Sequence, residues 1–150
     1  MNLEIGFATE DDLPQLADLL AELFTLERDF SPDRSKQLCA LRLILDRPDQ
    51  GRLFVARDGV KVAGMANAQI SISTAEGGRV LLLEDVIVNA DYRGRGVGRA
   101  LVEHVLAWAI LEDMLRVTLL ADCDNHAALA FYGKLDFCRS NMLVLRKSLI

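Results

Sequence analysis

The apolar positions of the chain follow two periods in succession, and these periods outline most of its elements. Residues 3–8, LEIGFA, alternate as a short strand, and the TEDD after them offers Thr9 or Asp11 as a helix N-cap. Acidic residues fill that first turn, where the helix dipole favours them. Leu13, Leu16, Leu20, Leu23 and Phe24 then recur at helical spacing, with Pro14 early enough to be tolerated. Residues 31–49, SPDRSKQLCALRLILDRPD, predict a second helix whose stripe is Leu38, Leu41, Ile44 and Leu45, and which ends at Pro48.

From Arg52 the period drops to two. RLFVARDG (52–59) and VKVAGMANAQISIS (60–73) read as strands joined through Asp58-Gly59, a strong hairpin signal. TAEGGR (74–79) is a second turn, and VLLLEDVIV (80–88) is a strand apolar enough to be covered on both faces. Helical spacing returns in RALVEHVLAWAILEDM (99–114), followed by a strand in RVTLLA (116–121), a short helix in NHAALAFYGKL (125–135) and a last strand in RSNMLVLRKS (139–148). Strand, crossover helix and strand form a right-handed parallel unit. The expected fold is therefore α/β, order β-α-α-β-β-β-α-β-α-β: a mixed, mostly antiparallel sheet of six to seven strands flanked by four helices.

Composition narrows the class. A chain of 150 residues is about one domain in size and can bury roughly two-thirds of its unfolded surface, so one domain over 1–150 is expected. No apolar run reaches the ~18 residues of a membrane span, and the acidic N-terminus is unlike a signal peptide, so a cytoplasmic protein without membrane partners is expected. Cys39, Cys123 and Cys138 are odd in number and form no CxxC pair, which suggests neither a disulfide framework nor a metal site, and they read as small packing residues. The net charge of −5 is uneven: residues 1–50 carry 11 acidic and 5 basic side chains, residues 51–150 carry 11 and 12. That balance lacks a nucleic-acid footprint, and a substrate site walled by the first third would favour a cation.

The densest chemistry lies in DYRGRGVGRAL (91–101). At a helix start several N–H groups lack partners and the dipole is positive, so an anion fits, and glycines let backbone approach it. Arg93, Arg95 and Arg99 add charge suited to phosphates. A dinucleotide fingerprint fails in spacing, since Gly94, Gly96 and Gly98 give GxGxG, and a P-loop fails because no Gly-Lys-Ser/Thr follows.

Arg93, Gly96 and Gly98 meet the Arg/Gln-x-x-Gly-x-Gly/Ala signature, and here the chain resembles the GCN5-related N-acetyltransferase superfamily. VAGMANAQI (62–70) is similar to the family's third strand, LLLEDVIVNADYRGRGVGRAL (81–101) to its motif A and NHAALAFYGKLDF (125–137) to its motif B. The resemblance implies an acetyl-CoA-dependent N-acetyltransferase without a metal. Val86, Ile87 and Val88 would bind the pantetheine arm like an added strand, splayed from RVTLLA. Gly94, Arg95, Gly96, Val97, Gly98 and Arg99 would hold the pyrophosphate, with Arg93 beside them. Asn125 would cap the motif B helix and contact the pantetheine region, and Tyr132 would sit by the sulfur of CoA. Where the family has glycine after that helix this chain has Asp136, which tolerates left-handed geometry less comfortably. Homodimers are common in the family.

The chemistry sets two proton problems. An amine of pKa ~10.4 is neutral in only about one molecule in a few thousand at pH 7, so a base must act, and the leaving thiolate needs a proton back. Tyr132 can serve as that acid. Glu84 is the candidate base: it and Asp85 are the charges of VLLLEDVIV, and alternation sends them to opposite faces. LEDxxV…DYRGxGxG particularly resembles the diamine and polyamine acetyltransferase branch, which implies a small-molecule amine acceptor. A backbone N–H near Val86 is the expected oxyanion donor. His104 and His126 read as surface or cap residues. Asn67, Gln69, Ser71 and Ser73 alternate along one face and offer a polar acceptor wall, with Glu22, Glu27 and Asp29 in and after the first helix adding negative charge. A protein or peptide acceptor, and a non-catalytic acyl-CoA-binding module, remain the alternatives.

Overall fold

The computed structural model describes residues 1–27 and 29–150. Arg28, in the predicted connection FTLERDFSPD, lies outside the described residues. By its contacts the chain divides into two units, Met1–Leu120 and Ala121–Ile150.

The first unit is a five-stranded sheet in the order β1-β2-β3-β4-β5, with β1 Leu3–Phe7, β2 Gly51–Asp58, β3 Lys61–Ser73, β4 Gly78–Val88 and β5 Val117–Leu119. The first three pairings are antiparallel and β4 pairs β5 in parallel, as a crossover helix requires. Helices α1 (Leu13–Leu26) and α2 (Arg34–Leu45) bury the predicted Leu13, Leu16, Leu20 and Leu41 against Leu53, Val55, Val62, Met65 and Ile87 of the sheet. On the other stripe of sheet positions Phe54 meets Trp108 of helix α3 (Val97–Leu111) at 5.2 Å between rings, and Leu101 of α3 approaches Gly64. Both faces of β4 are thus covered, which accounts for its apolar run.

The helix start expected at Thr9 or Asp11 is divided: Thr9 is the N-cap of a short turn and Asp12 that of α1. A short 3₁₀ turn, Glu10–Asp12, precedes α1, and Asp12 accepts from the Thr9 N–H at 2.7 Å. Asp12 is buried beside Arg57, which donates to both of its carboxylate oxygens. Asp33 caps α2 by accepting from the Lys36 N–H at 3.2 Å. Gly59 turns the first hairpin at φ 64°.

The second unit holds helix α4 (His126–Gly133) and the C-terminal segment. Here the expectation of six to seven strands is corrected to five, because the strand expected over 139–148 does not form. Its apolar residues Met142, Leu143 and Leu145 are exposed, and the turns it makes are local, such as Met142 N–H to Ser140 Oγ at 3.1 Å. Alternation makes a strand only where a neighbour completes the ladder, and this unit contains no other strand among the described residues. The cysteines are also corrected: all three are exposed thiols rather than packing residues. No helix of the described residues is long and apolar enough to cross a membrane.

Candidate active site

β4 carries the centre of the site because its register breaks there. Met65 of β3 pairs with Ile87 and Asn67 with Glu84, so Asp85 and Val86 together oppose Ala66. The extra residue forms a bulge, and Asp85 takes it up with a left-handed φ of 49°. The expectation that Glu84 and Asp85 point to opposite faces is corrected by this break. Glu84 is the cross-strand partner of Asn67, and the Asp85 carboxylate also reaches Asn67, accepting from Nδ2 at 2.9 Å. Burial pushes the Asp85 carboxyl up from the ordinary range, and the Asn67 hydrogen bond partly offsets this.

The same strand parts from β5 at this point. Leu81, Leu82 and Leu83 pair with Val117, Thr118 and Leu119, and the ladder stops there. From Glu84 to Val88 the β5 side of β4 has no strand partner among the described residues. Leu83 and Ile87 remain buried, while Glu84, Asp85 and Val86 between them are partly open. Val86 and Val88, whose backbone groups alternate onto that side, border the gap, and Val88 O accepts there from Arg93 Nε at 3.2 Å.

Past Val88 the chain enters the glycine loop. Tyr92 is buried and its hydroxyl donates to Asp58 Oδ2 at 2.9 Å, while Lys61 pairs with Asp91 at 2.9 Å, so the loop is tied to the first hairpin. Gly94 and Gly96 adopt φ of 71° and 81°, and a Cβ on either would project into open space. Helix α3 starts at Val97, earlier than predicted, with Gly96 as its left-handed N-cap and its first helical bond from Ala100 N–H to Gly96 O. The N–H groups of Val97, Gly98 and Arg99 precede that bond and are free for an anion.

The arginines are partnered rather than bare. Arg93 Nη2 donates to Glu22 of α1 at 2.5 Å and its Nε to Val88 O at 3.2 Å. Glu22 is thereby paired with Arg93 in this structure. Arg95 stacks over Tyr92, 5.3 Å from the ring centroid, and Arg99 pairs with Glu103 at 2.7 Å. All three arginines are exposed, and the ion pairs of Arg93 and Arg99 are of the solvent-exposed kind worth little, so an incoming phosphate competes with them at low cost. Of the polar wall, Asn67 and Gln69 are linked, while Ser71 is exposed and Ser73 Oγ accepts from Glu76 N–H in the hairpin turn. His104 lies exposed on α3 with its ring 5.9 Å from that of Phe54.

In the second unit, Asn125 caps α4 by accepting from the Ala128 N–H at 3.1 Å. Tyr132 is packed by Phe131 and Phe137 at 5.0 and 5.7 Å, and burial pushes its pKa up to about 12. A tyrosine that holds its proton more tightly folded than unfolded stabilises fully below its ordinary pKa and loses that contribution as pH rises towards 12. Alkaline titration is expected to remove up to roughly 3 kcal/mol over that window, and Tyr132→Phe to abolish this limb of a denaturation series. Asp136 has φ 67°, the left-handed position where the family has glycine. Asp136→Gly is expected to raise stability by up to about 1 kcal/mol, read as a higher denaturation midpoint.

A bulged strand leading through a glycine loop into a helix N-terminus is one matter, and a whole-chain match is another. A profile described as the acetyltransferase (GNAT) family matches residues 13–137. The chain belongs to that family. An uncharacterized N-acetyltransferase of Methanocaldococcus jannaschii is 25% identical over 131 residues, 86% of this chain, and the match spans 58% of that relative's length. A possible acetyltransferase of Clostridium difficile has the same fold at TM-score 0.89 and 20% identity, covering 100% of this chain and 99% of that one. An aminoglycoside N-acetyltransferase, solved with the bisubstrate analogue CoA-S-monomethyl-acetylneamine, superposes at TM-score 0.82 and 19% identity over the full length of both chains. GNAT membership and the names of the relatives make this chain an acyltransferase domain, with its signature loop at 93–98 and its bulged strand inside the matched span.

Bulge and loop lie in one unit, and Asn125 and Tyr132 in the other. The Arg93–Glu22 tie and the bulge at Asp85 carry no local sequence signal. Among the described residues no group of three His, Cys, Asp or Glu is placed to hold a metal ion.

Proposed function

We propose that the chain, as one domain over 1–150, transfers an acetyl group from acetyl-CoA directly to a primary amine of a small molecule. The observation that carries the reading is the end of the β4–β5 ladder at Leu83, beyond which β4 has no strand partner on that side among the described residues and runs into a loop whose two left-handed glycines leave room at their α-carbons. These residues fit a long donor: Val86 to Val88 pair with its amide arm and the N–H groups from Gly94 to Arg99 meet its phosphates. Acetyl-CoA supplies the activated thioester.

The protein's part is positioning and proton traffic. Glu84 takes a proton from the ammonium, and the free amine forms the C–N bond as the C–S bond breaks. The Val86 N–H, at the bulge, stabilises the oxygen as it gains charge. Tyr132 gives its proton to the leaving sulfur and is restored by the second proton that the nitrogen sheds as the amide forms. The diamine and polyamine resemblance and the aminoglycoside relative both favour an amine that is charged at neutral pH.

The test is a screen of amines, peptides and aminoglycosides with acetyl-CoA, read by thiol release, for the parent and for Glu84→Gln. Turnover of a small amine that falls by roughly 100-fold in Glu84→Gln supports the reading. Tight CoA binding with no acceptor turned over would make the chain a binding module instead.

A further inference from the structure

We propose that Asp85 anchors the charged nitrogen of the acceptor, and that Asn67 and Gln69 exist to hold its carboxylate in place; the inference rests on the reading of the chain as an amine acetyltransferase. Three observations carry it.

The first is the construction around the carboxylate. Asp85 sits in a backbone conformation that L residues rarely adopt, and strain of this kind persists where the surroundings impose it, commonly at ligand sites. Its Oδ2 accepts from Asn67 Nδ2, and Asn67 Oδ1 in turn accepts from Gln69 Nε2 at 2.5 Å. Asn67 is only 6% exposed, so an amide held at both ends cannot turn, and its donor stays on Asp85. Opposite Gln69 on β2 stands Gly51, where a Cβ would lie 2.8 Å from the Gln69 amide. The array thus crosses three strands, and even the glycine at its far end leaves space for it.

The second is charge. The buried carboxylate among the described residues, Asp12, is neutralised by Arg57. Asp85 receives a neutral amide instead, and it takes part in no salt bridge among the described residues. A carboxylate partly withdrawn from water gains from a cationic partner, so Asp85, which the chain gives none, is a half-made ion pair whose natural complement is a cation from outside the chain. Partial burial pushes its pKa up, and the Asn67 hydrogen bond offsets only part of that push.

The third is access. Leu83 and Ile87 flank the bulge at 2% and 5% exposure, whereas Glu84, Asp85 and Val86 are partly open. The sheet opens where the unpaired carboxylate stands, beside the candidate base. The acceptor class that fits is an aliphatic amine, charged at neutral pH, in preference to an aromatic amine that is uncharged there.

The test compares two acceptors, an aliphatic diamine and an aromatic amine, in thiol release near neutral pH with acetyl-CoA. Asparagine tolerates left-handed φ and matches aspartate in shape, so Asp85→Asn removes the charge without disturbing the bulge. It is expected to raise KM for the diamine by about 10- to 100-fold, the loss of a charged hydrogen bond, while KM for the aromatic amine and the Kd of CoA stay within about 3-fold. Asn67→Ala should raise the diamine KM in the same sense. Glu84→Gln should lower kcat with both acceptors. An unchanged diamine KM in Asp85→Asn overturns the proposal, and so does an equal rise for both acceptors, which would mark a structural role. Turnover of the aromatic amine alone by the parent overturns this inference and leaves the acetyltransferase reading standing, whereas turnover of no acceptor at all overturns both.

Discussion

Tyr132→Phe is expected to lower kcat for acetyl transfer by roughly 100-fold, with the KM for acetyl-CoA almost unmoved. The magnitude follows from what the hydroxyl can do. Burial holds its pKa near 12, so it is protonated across the whole working range. A thiol has a pKa of about 8.5, which makes the hydroxyl the weaker acid of the two. In the proposed reaction it would stabilise the leaving sulfur chiefly as a hydrogen-bond donor, and pass its proton on only as the amine nitrogen gives one up. Phenylalanine keeps the packing against Phe131 and Phe137 and removes that donor alone. Steady-state kinetics with a saturating amine check this, and a kcat within about 3-fold of the parent would exclude Tyr132 from the chemistry.

Gly96→Val is expected to weaken CoA binding by about 100-fold or more. Gly96 caps α3 at φ 81°, a region in which a non-glycine residue costs roughly 1–2 kcal/mol and a β-branched one more. Relief of that strain turns the first N–H groups of α3 away from a common point. A side chain at this position would also project into the open space above the loop. Both effects act on the donor, so calorimetric titration of CoA is the proper readout. Gly6→Ala serves as the control, since that strand glycine also has room for a Cβ but lies at an ordinary φ, and its Kd should match the parent.

Much of this was legible because the signals are local. Helix stripes, the Asp58-Gly59 hairpin and the Asn125 cap each depend on residues within a few positions of one another, and each stands where the pattern placed it. The left-handed geometry of Asp136 was readable through the resemblance, which places a glycine there, and such a residue commonly ends a helix. The last strand failed on the opposite ground: MLVLRKS alternates well, but a strand is made by its neighbour, and alternation does not say whether one is present. The expectation for the cysteines failed similarly, because a small apolar residue carries no mark of its own burial.

By itself, then, the amino-acid sequence determined the order of elements as far as α4, the glycine loop opening onto a helix N-terminus and the residue types for acetyl chemistry. These follow from short-range backbone preferences, which tertiary contacts refine without overturning. Only the tertiary structure decided that one residue is inserted between Met65–Ile87 and Asn67–Glu84, that Asp85 thereby swings onto Asn67, and that Glu22 is paired with Arg93. Each of these depends on register or distance between segments far apart in the chain, and a one-residue change in register redirects every side chain beyond it.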